Sequence, residues 1–180
     1  MEVVASRAEK DRLHALFQAR DREDVAYLVD EGLRDPSNRF MAAKFLGELR
    51  AQEAVGPLIR LLQAADTPTR SRAAEALAKI GAKEAVPDLL ESLDAENDMV
   101  TKTWFIKALG MLGDKRAVAP LCELLANESL FVRGGAVAAL GAIGDPKALE
   151  PLRRARANER WYNRRPYKSA IRKLQTRTTG

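Results

Sequence analysis

The 180-residue chain predicts an all-α fold: a right-handed α-solenoid of about five helix pairs with helical caps, in a single domain over 1–180. Three observations predict it. A Leu-Gly pair, followed about eight residues later by Ala-Val-x-Pro-Leu or a near copy, recurs at a spacing of 31 or 32. It occurs as Leu46-Gly47 with Ala54 to Leu58, Leu109-Gly110 with Ala117 to Leu121, and Leu140-Gly141 with Ala148 to Leu152. A looser copy, Leu77-Ala78 with Ala85 to Leu89, lies between the first two. A fixed period of this length marks a stacked repeat array. Apolar residues make up 46% of the chain and aromatics only 6%, so Leu, Ala, Ile and Val must build the core, as in closely packed helices. No strand-like alternation of useful length interrupts the pattern.

Residues 1–35 read as an N-terminal cap. One helix carries Leu13, Leu16 and Phe17; a second carries Val25, Leu28, Val29 and Leu33, and the segment from Gly32 to Pro36 ends it. Residues 36–157 hold four repeats. In their first helices Leu46, Leu77, Leu109 and Leu140 share one position, and Leu49, Ile80, Leu112 and Ile143 share the position three residues later. Small residues such as Ala42, Ala73 and Ala136 precede them and allow close helix approach. Gly81, Gly113 or Gly144 follows, accepting the left-handed conformation that ends helices. Asp114 and Asp145 then stand at N-cap positions, the second followed by Pro146. The second helices carry Val55, Leu58, Leu61 and Leu62, then Val86, Leu89 and Leu93, then Val118, Leu121, Leu124 and Leu125. Residues 158–180 form a basic half-repeat cap. A helix over 161–175 keeps the phase through Ala170, Ile171 and Leu174.

The fourth repeat runs Phe131-Val132-Arg133, a series of small residues, Leu140-Gly141-Ala142-Ile143-Gly144-Asp145, and then Pro151-Leu152. It resembles the short HEAT-like repeats of the type found in phycobilisome lyases. The resemblance covers residues 36 to 157 well and speaks to fold far more than to function. It also implies that a basic column, Arg39, Arg70, Lys102, Arg133 and Arg164, forms a ladder with the turn residues Asp114 and Asp145.

Net charge is +5, unevenly spread. From Arg153 onward ten basic residues face one acid, Glu159, which leaves the rest of the chain mildly acidic. The single Cys122 excludes an internal disulfide and sits in an apolar run, as a small buried hydrophobe does. With His14 as the one histidine, no metal-ligand spacing emerges. That argues against the HEAT-repeat hydroxylases, which require paired His-Glu motifs. Gly134-Gly135 lies inside a helical copy and makes no phosphate loop, and no nucleophile signature occurs. The start of the chain lacks a basic end followed by an apolar stretch, and nothing reaches membrane-span length. A cytoplasmic, monomeric protein with no cofactor is the expectation.

Repeat arrays generally serve as binding surfaces, so the expected function is a non-enzymatic scaffold that binds another protein on its concave face. Glu84, Asp88, Glu91 and Glu123 lie on second helices and form an acidic patch there, and Trp104 is a further anchor. The alternative is a nucleic-acid contact at the basic end, through Arg153, Arg154, Arg156, Arg164, Arg165, Lys168 and Arg172, with Trp161, Tyr162 and Tyr167 interleaved. Against it, Trp161-Tyr162 align with Met99-Val100 and Leu130-Phe131, read here as core columns that would turn both rings inward.

Overall fold

Several helices begin and end where local chemistry dictates. A computed structural model describes residues 6–178, and among them are eleven α-helices and no strand. Met1 to Ala5, within the stretch read for a leader, lie outside the described residues, as does the side chain of Arg177. Helix α1 (Arg7–Asp21) opens on a capping box: the Glu9 N–H donates to Ser6 Oγ at 3.2 Å, and the Ser6 N–H donates to Glu9 Oε2 at 2.6 Å. The short α2 (Val25–Tyr27) runs on as a π-helical turn, Leu28–Gly32. Packing explains Gly32, because a Cβ there would lie 2.7 Å from Ala42 Cβ and 2.8 Å from Leu16 Cδ2.

The repeats follow as α3 (Arg39–Glu48), α4 (Val55–Leu61), α5 (Thr67–Ile80), α6 (Val86–Ala95), α7 (Met99–Leu112), α8 (Val118–Glu123), α9 (Leu130–Ile143) and α10 (Leu149–Asn158), closed by α11 (Arg164–Thr178). From α3 onward odd numbers are first helices and even numbers second helices. Asp66 and Asp98 cap α5 and α7 by accepting from the N–H groups of Thr69 and Thr101, each at 2.8 Å. Gly81, Gly113 and Gly144 end α5, α7 and α9 at φ of +85°, +66° and +76°. After α3 the same place falls to Arg50, at φ +52°.

The chain divides into two compact units, Met1–Ala82 and Lys83–Gly180. In unit 1, α3 packs along α5 with Phe45, Leu46, Leu58 and Leu77 fully buried. The Phe17 ring meets Phe45 edge-on at 5.1 Å, and the Arg20 guanidinium lies over both rings. In unit 2, α7 packs on α9 and α9 on α11, burying Phe105, Ile106, Leu109, Leu121, Leu140, Leu152 and Leu174. The repeated Leu-Gly pair now has a cause. A Cβ on Gly47 would sit 2.7 Å from Ala76 Cα, and one on Gly110 would sit 2.8 Å from Ala139 Cα. The glycine lets two first helices cross nearly backbone to backbone.

The expected Arg–Asp ladder is built differently. Arg39 Nη2 donates to Asp66 Oδ2 at 2.6 Å, and Arg133 Nε donates to Glu159 Oε2 at 3.0 Å. Arg70, Arg133 and Arg164 also donate to loop carbonyls just before their own helices, at Ala64, Asn127 and Glu159. Asp114 instead takes Arg116, while Asp145 caps the N–H of Lys147. The arginines of the basic column therefore tether the inter-repeat loops, because their side chains reach the N-terminal ends of the first helices and not the turns.

Candidate functional site

Unit 2 carries every residue singled out for binding, and its folding sorts them onto separate surfaces. Glu84, Asp88 and Glu91 project from α6 and the turn before it, and Glu123 ends α8; all but the half-buried Asp88 are exposed. Glu91, Glu123 and Arg154 hold the same place in three successive second helices, so charge along that row turns from negative to positive. Trp104 belongs elsewhere. It lies half-buried on first helix α7 with Lys107 Nζ 4.3 Å from its ring centre. There it lines a hollow of about 620 Å³ with Met111 and with Gly135, Ala138 and Ala142 of α9.

A second hollow of about 630 Å³ opens between α8 and α10, walled by Cys122, Leu125, Pro151, Arg154 and Ala155. Arg133 and Glu159 also line it. Glu159, the one acid of the basic segment, is buried and collects partners. It accepts from Arg133, from the Arg160 N–H at 3.1 Å, from Asn163 Nδ2 at 3.2 Å and from the Tyr167 hydroxyl at 3.4 Å. The Arg133 hydrogen bond, opposed by burial and helped by Asn163 and the Arg160 amide, lowers its carboxyl to about 2. The sequence offered one clue to this network: a lone acid among ten cations. Burial, reinforced by the neighbouring Glu123, pushes the Cys122 thiol up, which keeps it protonated and a poor nucleophile.

The basic end is less uniform than its sequence. Arg153 pairs with Glu150 at 2.6 Å, and Arg164 donates to the carbonyls of Glu159 and Ala157. Arg156 occupies the column of Leu62, Leu93 and Leu125 and buries its Nε without a hydrogen-bond partner. Arg154, Arg165, Lys168 and Arg172 stay exposed. Trp161 and Tyr162 turn outward rather than inward. The positions they share with Met99-Val100 and Leu130-Phe131 are solvent-facing first-turn sites, and all six side chains are between 44% and 81% exposed. Sequence alone misses this, because an apolar residue repeating every 31 looks the same whether it faces core or water.

Among the described residues no helix is long and apolar enough to cross a membrane. Among them, too, no three His, Cys, Asp or Glu side chains are grouped to hold a metal ion.

Comparison with known proteins adds four findings. Over 111 residues the chain is 35% identical to Bilin biosynthesis protein PecE of Mastigocladus laminosus, a match spanning 58% of this chain and 40% of that protein. Human deoxyhypusine hydroxylase, solved in complex with glycerol, superposes with a TM-score of 0.60 over 89% of this chain and 77% of its own, at 22% identity. An engineered protein superposes at 0.59 over 91% of this chain and 84% of its own, at 20% identity. The structural matches speak to the fold, an all-α solenoid. The curated relative overturns the expectation of a protein without enzymatic activity, since its name places it in a biosynthetic process. The model of HEAT repeats matches residues 25–109 and 101–172, and the chain belongs to the HEAT-repeat family.

Proposed function

We propose that the chain is a HEAT-repeat docking protein whose partner binds the second-helix face of unit 2, across Glu84, Asp88, Glu91 and Glu123 with Arg154 at one end. The observation that carries this reading is charge left unused. Glu75, Asp114 and Glu150 are all engaged in ion pairs, whereas no ion pair among the described residues engages those four acids. Exposed charges ordered from negative to positive give an oppositely ordered partner both register and a faster encounter. Trp104 and Met111 offer a separate apolar anchor on the first-helix face. A photo-crosslinking residue in place of Asp88, used in the native host, tests the reading. A discrete protein adduct that survives nuclease and disappears in Glu91→Lys/Glu123→Lys supports it; absence of any adduct sinks it. At the basic end, four engaged cations would give a log-affinity against log-salt slope of about −3.6 for duplex DNA. No binding at low salt removes that contact.

The 35% identity to a bilin biosynthesis protein favours a second reading, in which unit 2 holds a bilin during its handling. The hollow between α8 and α10, at about 630 Å³, has the size of a small-molecule site. Its apolar walls, Leu125, Pro151 and Ala155, suit a flat pigment, and Arg154 suits the pigment's carboxylates. Titration with biliverdin should shift the pigment's visible absorption, and Arg154→Glu should weaken the effect. An unchanged spectrum excludes this reading and leaves the docking reading intact.

A further inference from the structure

Met99-Val100, Leu130-Phe131 and Trp161-Tyr162 occupy one register position, the first turn of α7, the first turn of α9 and the turn leading into α11. Because α7 packs on α9 and α9 on α11, the three pairs stand as adjacent rungs on one edge of unit 2. Adjacent packed helices lie about 8–10 Å apart. The corresponding residues of unit 1, Pro36-Ser37 and Thr67-Pro68, are also exposed but are not large and apolar. The repeat therefore does not demand apolar side chains here. At about 150–250 Å² per ring, Phe131, Trp161 and Tyr162 alone expose on the order of 400 Å², as large as patches that mark interaction sites.

Charge along the strip runs in one direction. Asp94 and the N-cap Asp98 precede the first rung, with Lys102 one turn after it, whereas Arg160 precedes the last rung and Arg165 and Lys168 follow it. The N-cap position reads Asp98, Ser129, Arg160, neutral in the middle. Ser129 makes no side-chain capping bond to α9, so helix stability does not explain its choice. Glu128, next to it, lines the second-helix hollow instead.

We infer that this strip is a two-fold interface with a second copy of the chain. Laid antiparallel on itself, it places Leu130-Phe131 at the axis and each Met99-Val100 rung against the partner copy's Trp161-Tyr162. The acidic end then meets the basic end on both sides. Ser129 falls where a charge would face its own image, and there a neutral residue is required. Self-complementarity about a central rung is the property an isologous interface needs. Six large apolar side chains with charged flanks approach the roughly 800 Å² per partner of a standard interface. A bilayer, with charge of one sign across its surface, would be repelled by one end of this strip.

Sedimentation equilibrium of the full chain tests the inference. The expected result is a species of twice 19.9 kDa with a micromolar or tighter dissociation constant, weakening as salt rises. Phe131→Glu should weaken association by at least about thirtyfold, as loss of a central hot spot does, with the helical circular dichroism unchanged. Arg160→Asp should weaken it as well, and adding Asp94→Arg should restore it, because the exchanged pair again sets opposite charges against each other on both sides of the axis. A wild type that stays monomeric at high concentration overturns the inference, as does a dimer indifferent to Phe131→Glu. Cosedimentation of a monomeric wild type with phosphatidylserine vesicles, lost in Phe131→Glu, assigns the strip to a membrane surface and also overturns it.

Discussion

In unit 1 the exposed first turn of α5 carries Thr67 and Pro68, and α3 ends on Arg50 with a positive φ. In unit 2 the matching first turns carry Met99-Val100 and Leu130-Phe131, and α7 and α9 end on glycine. The buried columns tell the opposite story: Leu46 and Leu77 in unit 1, Leu109 and Leu140 in unit 2, all fully buried. Positions that stack are held nearly constant because each helix must fill the same gap. Positions facing water are free to drift, so specialisation collects there. Even the tether differs in detail. Arg39 reaches the N-cap Asp66, while Arg133 reaches Glu159, one residue before the basic Arg160 that fills the N-cap position.

The strongest way to break the comparison is through the shared core. Leu77→Ala and Leu109→Ala should each cost about 2–5 kcal/mol, as buried leucines do in tight cores. Urea unfolding that shows one far more tolerant than the other would mean that the two units do not share a column. Next come the helix crossings. Gly47→Ala and Gly110→Ala should each cost about 1–3 kcal/mol, because the added carbon meets backbone. Gly141→Ala should cost less, since its nearest neighbour is the Ala170 Cβ at 3.0 Å.

The tethers predict a pH dependence in both units. Burial raises the Asp66 carboxyl, but hydrogen bonds from Thr69 and Arg39 outweigh it and leave it at about 2; Glu159 is lowered to about 2 by Arg133. Both lie below their ordinary values, so the stability they contribute is complete above pH of about 4.5 and is lost as pH falls towards 2. Glu159→Gln should cost about 1–3 kcal/mol at pH 7 and flatten the pH 2–5 limb of thermal stability. A variant with the wild-type acid limb would show that the Arg133 contact carries no linkage. The smallest effect is a gain. Arg50→Gly should stabilise by about 0.5–1 kcal/mol, since glycine holds a positive φ without the Cβ clash. No rise in melting temperature would mean that the Arg50 side chain repays its strain.

The sequence by itself determined the fold class, the period and the buried columns. Leu46, Leu77, Leu109, Leu140 and Leu174 could be placed inside because an array buries the same face in every unit, and burial leaves a periodic trace. Gly81, Gly113 and Gly144 were legible as helix ends for an equally local reason, the backbone conformation glycine allows. Only tertiary structure decided which periodic apolar residues face water. Met99, Leu130 and Trp161 repeat like a core column, and solvent exposure depends on the neighbouring helix rather than on spacing. It likewise separated Trp104 from the acidic second-helix residues, because first and second helices present different faces. And it alone gathered Arg133, Asn163 and Tyr167 around Glu159, since a hydrogen-bond network across two helices and a loop exists only once packing has brought its members within 3.5 Å.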